Sequence, residues 1–228
     1  MIRAVNRRSF LLEPTRQGGR RSRVRMERRA EILSAAARIF GEKGYHGASI
    51  AEIAEAAEYG TGTIYLHFEN KEDLYVALME GKMLELAQRV HRRVGKGAEP
   101  WEAVRNAVAA QLEFYEQNRT FFQSFVRERL EMQARLQKDK WVRVTRAYEQ
   151  FIRYLARLLR QGQHKGAVRS GDSRRLAVAL SGMVNQLTRD GLRRSPGRSL
   201  AAQTEFVIEL FQHGAQTPAT VPSHESAN

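Results

Sequence analysis

Apolar positions along most of the chain recur at three- and four-residue steps, and no stretch alternates with a period of two, so helices and no strands are expected. Ile32, Ala36, Ile39 and Phe40 mark a first amphipathic helix from Arg28 to Lys43, with Gly44 as its stop. Ser49 followed three residues later by Glu52 has the spacing of a capping box, and Ile50, Ile53, Ala54 and Ala57 give the short helix behind it one apolar face. A third helix is expected from about Thr61 to His67, after a turn containing Gly60 and Gly62. A fourth, residues 71–94, begins after Asn70, whose side chain can cap it.

Gly95 to Pro100 breaks the pattern, and Pro100 suits the first turn of a helix covering Trp101 to Glu116. Another helix follows Asn118. Trp141, Val144, Tyr148, Phe151, Leu155 and Leu158 then form one stripe on a helix that begins near Asp139 and ends near Gly162. Asp172 opens a further helix, Ser195-Pro196-Gly197 interrupts it, and the last helix runs from about Ser199 to His213. The expected fold is therefore all-α. It divides into a flexible basic arm (1–25), a compact head of three short helices (26–72), a larger helical body (73–213) and a disordered tail (214–228).

Composition sharpens this outline. A chain of 228 residues with 42% hydrophobic content can bury a sizeable core. Its formal net charge of +13 favours an anionic partner. Residues 1–25 carry eight arginines against the single acid Glu13, a balance of +7, more than half of the total. Zero cysteines excludes disulfides, thiolate nucleophiles and cysteine-bound zinc. No apolar run reaches the roughly 18 residues of a membrane span, and Ser9 to Leu12 is too short for the apolar centre of a signal peptide, so the cytoplasm is the expected compartment.

The segment richest in chemistry is Gly44-Tyr45-His46-Gly47-Ala48-Ser49-Ile50-Ala51-Glu52-Ile53-Ala54, continuing through Gly60-Thr61-Gly62-Thr63-Ile64-Tyr65-Leu66-His67-Phe68 to Lys71-Glu72-Asp73-Leu74. It closely resembles the TetR family of bacterial regulators, whose pattern has Gly-Tyr after the first helix, Ser or Thr opening the second, Gly-Thr-x-Tyr and an aromatic pair in the third, and Lys-Glu-x-Leu opening the fourth. At motif level the resemblance covers residues 26–80. It implies a sequence-specific DNA-binding transcriptional regulator in which residues 26–72 form a helix-turn-helix domain and the rest of the helical body serves regulation and dimerisation.

The residue types suit that role on their own terms. A helix entering the major groove needs small or hydrogen-bonding residues on its leading turn, and Thr61, Gly62 and Thr63 provide them. Tyr45, Tyr65 and His67 can reach phosphate oxygens, Lys71 adds charge, and Ser49 lies beside helix N-terminal amides that favour an anion. Ile53, Ala54, Ala57, Ile64 and Phe68 are packing residues. In the turn between the second and third helices the family commonly has Gly, an apolar residue and Ser, where this chain has Glu58, Tyr59 and Gly60. A non-glycine residue at a left-handed turn position costs roughly 1 kcal/mol, and Glu58 near phosphate is repulsive unless an arm arginine pairs with it.

The resemblance further implies a homodimer on a palindromic operator, most often a repressor released by a small molecule. It places the dimer interface on the last two helices, where the rows Leu176, Leu180, Met183, Leu187 and Leu200, Val207, Phe211 can build a four-helix bundle with their symmetry mates. It also implies an effector cavity in the body. Trp101, Phe114, Phe122, Phe125, Trp141 and Tyr148 suit a hydrophobic or aromatic effector there, with Gln111, Arg127 and Gln186 as polar contacts. No cofactor is expected. Catalysis is disfavoured because no zinc-binding His pair, phosphate loop or nucleophile elbow is present, and the six histidines are too scattered for a metal site. Membrane attachment is disfavoured because residues 1–25 lack an apolar stripe.

Overall fold

Gly19 is the N-cap of the first helix, and from there good helix formers run without a Gly or Pro until Gly41. A computed structural model describes residues 19–95, 97–126, 138–194 and 199–215. Helix α1 spans Arg20–Gly47 and is kinked at Gly44, where φ is 74° and the chain leaves helical geometry. That is the stop expected from the sequence. The start is not, because residues 20–25 are helical, whereas they were assigned to a flexible arm. Arg, Met, Glu and Ala have high helix propensity, so α1 extends past its own apolar stripe.

Helix α2 (Ile50–Ala56) is held at its start by the full capping box, with both the Ser49 and the Glu52 bonds formed. Helix α3 (Thr61–Tyr65) follows a turn in which Glu58 has φ of 59°, the left-handed conformation expected to strain a non-glycine residue. Tyr59 Oη donates to Glu31 of α1, which ties the strained turn to the first helix. The Asn70 side chain accepts from Asp73 N at the start of α4 (Lys71–Val94). Glu72 and Asp73 in its first turn and His91, Arg92 and Arg93 in its last complement the helix dipole, and Gly95 at φ 67° ends it.

The body is built from α5 (Pro100–Gln117, with Pro100 in its first turn), α6 (residues 119–126), α7 (Lys138–His164), α8 (Ser173–Arg194) and α9 (Thr204–Ala215). Asp172 Oδ1 accepts from the N–H groups of Arg174 and Arg175 at the start of α8. A short 3-10 turn, Ala201–Gln203, leads into α9, which extends two residues beyond the predicted end. No strand occurs among the described residues, and none of their helices is long and apolar enough to cross a membrane. The fold is all-α, as expected.

Helix α4 is the shared element, packed by α1 in the head and by α5 and α7 in the body. One continuous core runs from Ile32, Phe40, Ile53, Ile64 and Leu74 in the head to Leu86, Leu112, Phe114 and Phe151 in the body. Full burial of each such side chain is worth roughly 1.5–3 kcal/mol. Head and body also meet where Gly41 of α1 lies under α6: a Cβ there would stand 3.2 Å from the Phe121 backbone N.

Candidate nucleic-acid interface

Ile64 fastens α3 to the head because its side chain is wholly buried while its neighbours on the opposite face are not. Thr61, Gly62 and Tyr65 are exposed, Thr63 and His67 are half-buried, and the space beside the Gly62 Cα is open. The third helix therefore projects two small residues and a tyrosine outward while a single isoleucine anchors it.

Ser49 sits at the start of α2, where its backbone N donates to Glu52 Oε2 at 2.8 Å, its hydroxyl donates to the same oxygen at 2.8 Å, and Glu52 N donates to Ser49 Oγ at 3.2 Å. Lys43 at the end of α1 donates to the other carboxylate oxygen of Glu52. The bond from Lys43, followed by those from Ser49, holds the Glu52 carboxyl at about 2, well below the ordinary carboxylate range.

Tyr45 is half-buried in an aromatic cluster, stacked on Phe40 at 5.9 Å and edge-on to Tyr75 at 5.1 Å. Burial raises the pKa of its phenol. Lys71 places Nζ 4.5 Å from the Tyr45 ring centroid and donates to the His46 carbonyl at 3.4 Å. Tyr45 and Lys71 thus form one unit across the junction of α1 and α4. His67 lies beside the first turns of α1; burial first, then the charges of Arg25, Arg29 and Arg28, lower its pKa from 6.5. Arg29 also lies over the Phe68 ring at 5.1 Å. Of the expected contact residues of the head, the structure joins Tyr45 with Lys71 directly, places Ser49 at the start of α2, and leaves Thr61, Gly62 and Tyr65 exposed on α3.

The residues predicted to line an effector site divide. Phe114 and Phe122 meet edge to face at 5.7 Å, and Phe122 also meets Tyr115 at 4.7 Å. Gln111 is buried and donates to Asn185 Oδ1 at 3.3 Å and to Tyr115 Oη at 3.4 Å; Tyr115 in turn donates to Asn185 at 3.1 Å. Asn185 donates to Ser181 Oγ, which lies 3.3 Å from Tyr148 Oη. A polar chain therefore crosses the aromatic interior from α5 through α8 to α7. Tyr115 belongs to the aromatic-rich stretch expected to line the pocket, whereas nothing in the sequence distinguishes Ser181 and Asn185 from other polar helix residues; only their convergence does. Phe125 and Trp141 are half-buried against the core.

Two members of that set are elsewhere. Trp101 donates from Nε1 to the Ala167 carbonyl at 3.3 Å and meets Phe211 edge-on, so it fastens α5 to the loop after α7 and to α9. Gln186 is exposed on the outer side of α8 and bonded to Arg189, because it falls between the buried positions Val184 and Thr188. Arg127 lies outside the described residues.

The predicted dimer rows need a larger correction. Leu180, Leu200, Val207 and Phe211 are buried within the single chain, and Leu176, Met183 and Leu187 are half-buried against the same core. The buried members on α8 and α9 lie on the inner faces of those helices, since a helix beside a core turns its most apolar stripe inward, and Leu176, Met183 and Leu187 flank that face of α8. The large apolar side chains exposed on these two helices, among the described residues, are Val178 on α8 and Phe206 and Leu210 on α9, at 42%, 53% and 55% exposure.

Comparison with known proteins agrees with this architecture. Residues 32–78 match the sequence model for bacterial regulatory proteins of the tetR family, and residues 97–189 match a tetracyclin repressor-like C-terminal domain. The fatty acid metabolism regulator protein of Bacillus subtilis is 24% identical over 185 residues, 81% of this chain and 93% of that one. The crystal structure of FadR from Bacillus subtilis in complex with stearoyl-CoA superposes with a TM-score of 0.71 at 23% identity, covering 81% of this chain and 98% of that one. A regulator from Saccharomonospora viridis in complex with choline superposes with a TM-score of 0.72 at 23% identity, over 85% and 100% of the two chains. With its head and its body each matched in order by the family's own domains, the chain belongs to the TetR family of bacterial DNA-binding transcriptional regulators.

Proposed function

We propose that this protein is a ligand-responsive repressor that acts in the cytoplasm as a homodimer on a palindromic operator. The observation that carries the reading is α3 itself, anchored by Ile64 and presenting Thr61, Gly62 and Tyr65 outward. In this reading Thr61, Gly62 and Thr63 meet base edges, while Tyr45, Ser49, Tyr65, His67 and Lys71 fix the register through phosphates. Residues 26–72 form the DNA-binding unit and residues 73–213 the regulatory and dimerisation unit.

Dimerisation uses the outer faces of α8 and α9, where Val178, Phe206 and Leu210 remain exposed. The effector enters the body among Phe114, Phe122, Phe125, Trp141 and Tyr148 and is mostly apolar. Two features support a polar group on it as well. The chain of bonds from Gln111 to Tyr148 offers neutral donors and acceptors, and the buried hydroxyl of Thr188, on the same face of α8, has no hydrogen-bond partner among the described residues. A buried hydroxyl left unsatisfied costs roughly 1–3 kcal/mol, which a bound donor or acceptor recovers. The relative crystallised with stearoyl-CoA binds a ligand of that general character, a long apolar chain with polar groups.

Selection of duplexes from a random-sequence pool tests the reading. The expected product is an inverted repeat whose half-site centres lie about one helical turn, or a multiple, apart. Thr63→Ala is expected to relax the preference, and Lys71→Ala to weaken all sequences alike. Recovery of no common sequence would overturn the reading. An acyl-CoA panel tested for release of the selected duplex then addresses the effector; insensitivity of the complex to the whole panel overturns an acyl-CoA effector.

A further inference from the structure

Helix α1 begins well before its own first buried residue. Every residue from Arg20 to Arg28 is exposed, and the first buried side chain is Ile32. Twelve residues of α1 therefore precede its first buried side chain, about 18 Å of helix at 1.5 Å per residue. Arg20, Arg21, Arg25 and Arg28, with Val24 between them, line the α1 side of a groove of about 570 Å³, and Leu66 and His67, just after α3, line the other. No carboxylate lines it among the described residues. Leu66 is the most exposed large apolar residue of the head, at 75%.

We infer that this groove is a second contact surface for duplex DNA, seating the phosphodiester backbone that flanks the sequence read by α3. The inference rests on the functional reading above. Three features select DNA backbone as the occupant. Four guanidiniums with no acid among them complement a line of phosphates and are suited to bidentate contact with phosphate oxygens. The far wall follows Tyr65 without a break, so the groove continues the surface that α3 already presents. Its position along the backbone means that it adds affinity without sequence preference. The basic segment is thus partly an ordered helix, which sets the register of Arg20, Arg21, Arg25 and Arg28 relative to the reading helix.

The test uses the full chain, a duplex of 30 base pairs selected by the wild-type protein, and the same duplex trimmed to the inverted repeat alone (about 20 base pairs). Arg20, Arg21 and Arg25 are replaced together by Gln, and in a second variant by Lys, with circular dichroism as the check on helix content. Each phosphate contact contributes about 0.9 to the slope of log affinity against log salt. The Gln variant is expected to lose about two to three of that slope on the long duplex and little on the trimmed one, with the selected sequence unchanged, and the Lys variant to keep most of it. An unchanged slope on the long duplex, or an equal loss on both duplexes, overturns the inference while leaving the functional reading intact. Loss of binding to phosphatidylglycerol vesicles with no change on either duplex overturns it in favour of a membrane surface. A wild-type protein that selects no sequence overturns both.

Discussion

Arg143 of α7 donates from Nη1 to Asp73 Oδ1 at 3.1 Å, and so links the body to the first turn of α4, the helix that follows α3. Its Nε and Nη2 reach Glu80 Oε2 one further stretch along α4, at 3.0 and 2.6 Å. Asp73 also accepts from Glu69 N, and its own N–H is capped by Asn70, so one arginine bears on the whole connection between α3 and α4. Arg143→Met is expected to lower stability by only about 1 kcal/mol, since the groups are partly exposed. The larger effect falls on the switch, with weaker binding of the selected duplex and a changed effector concentration for release. Identical dissociation constants and release curves for variant and wild type would remove Arg143 from the coupling.

Acid sensitivity of the head has an assigned source in Glu52. Its folded-state pKa of about 2 lies below the 4.5 of an unperturbed carboxyl. The stabilisation is therefore present above about 4.5 and is lost as the pH falls from there through about 2. Glu52→Gln keeps a capping side chain but ends this titration, so its denaturation midpoint should vary less than that of wild type over the same interval. Parallel pH profiles would show that the carboxylate contributes nothing specific.

His67 carries the opposite sign for DNA binding. Burial and three arginines depress its pKa in the free protein, so protonation of the folded head is resisted below 6.5 and stability falls as the pH drops there. A phosphate placed against it favours the protonated ring. Binding then takes up a proton, and affinity for the selected duplex should rise as the pH falls through and below about 6.5. Fluorescence anisotropy at constant salt measures this, and His67→Gln should flatten the curve. The same slope in both proteins would exclude His67 as the source.

Phe206 and Leu210 stand one helical turn apart on the outer face of α9. Because neither is used inside the chain, Phe206→Glu and Leu210→Glu should leave helicity and the unfolding midpoint of the subunit nearly unchanged. Sedimentation at micromolar concentration should instead report a monomer, with duplex affinity lowered at least tenfold because two half-sites are no longer held together. A variant that stays dimeric would move the interface to another face.

Much of this protein was legible because the deciding forces are local. Ser49 and Glu52 cap α2, Asn70 caps α4, Gly44 breaks α1 and Pro100 opens α5; each depends on atoms within about four residues and reads directly from the order of side chains. The turn at Glu58 to Gly60 departs from the family pattern in lacking its glycine, but its geometry is not legible from the sequence; the structure puts Glu58 in the left-handed region. The family motif in the head was legible too, because each motif residue is tied to its position in a short helix. What the order of residues leaves open is which side of a helix finds a partner. Leu180 and Val207 have the spacing of an interface and are core, while Phe206 and Leu210 lie outside; Trp101 and Gln186 have the chemistry of a ligand site and face other surroundings. Arg20 to Arg25 read as an arm until their helix sets them against Leu66 and His67. Periodicity marks an apolar stripe but not what covers it, and that choice belongs to contacts between residues as distant in sequence as Arg143 and Asp73, which exist only once the helices have packed.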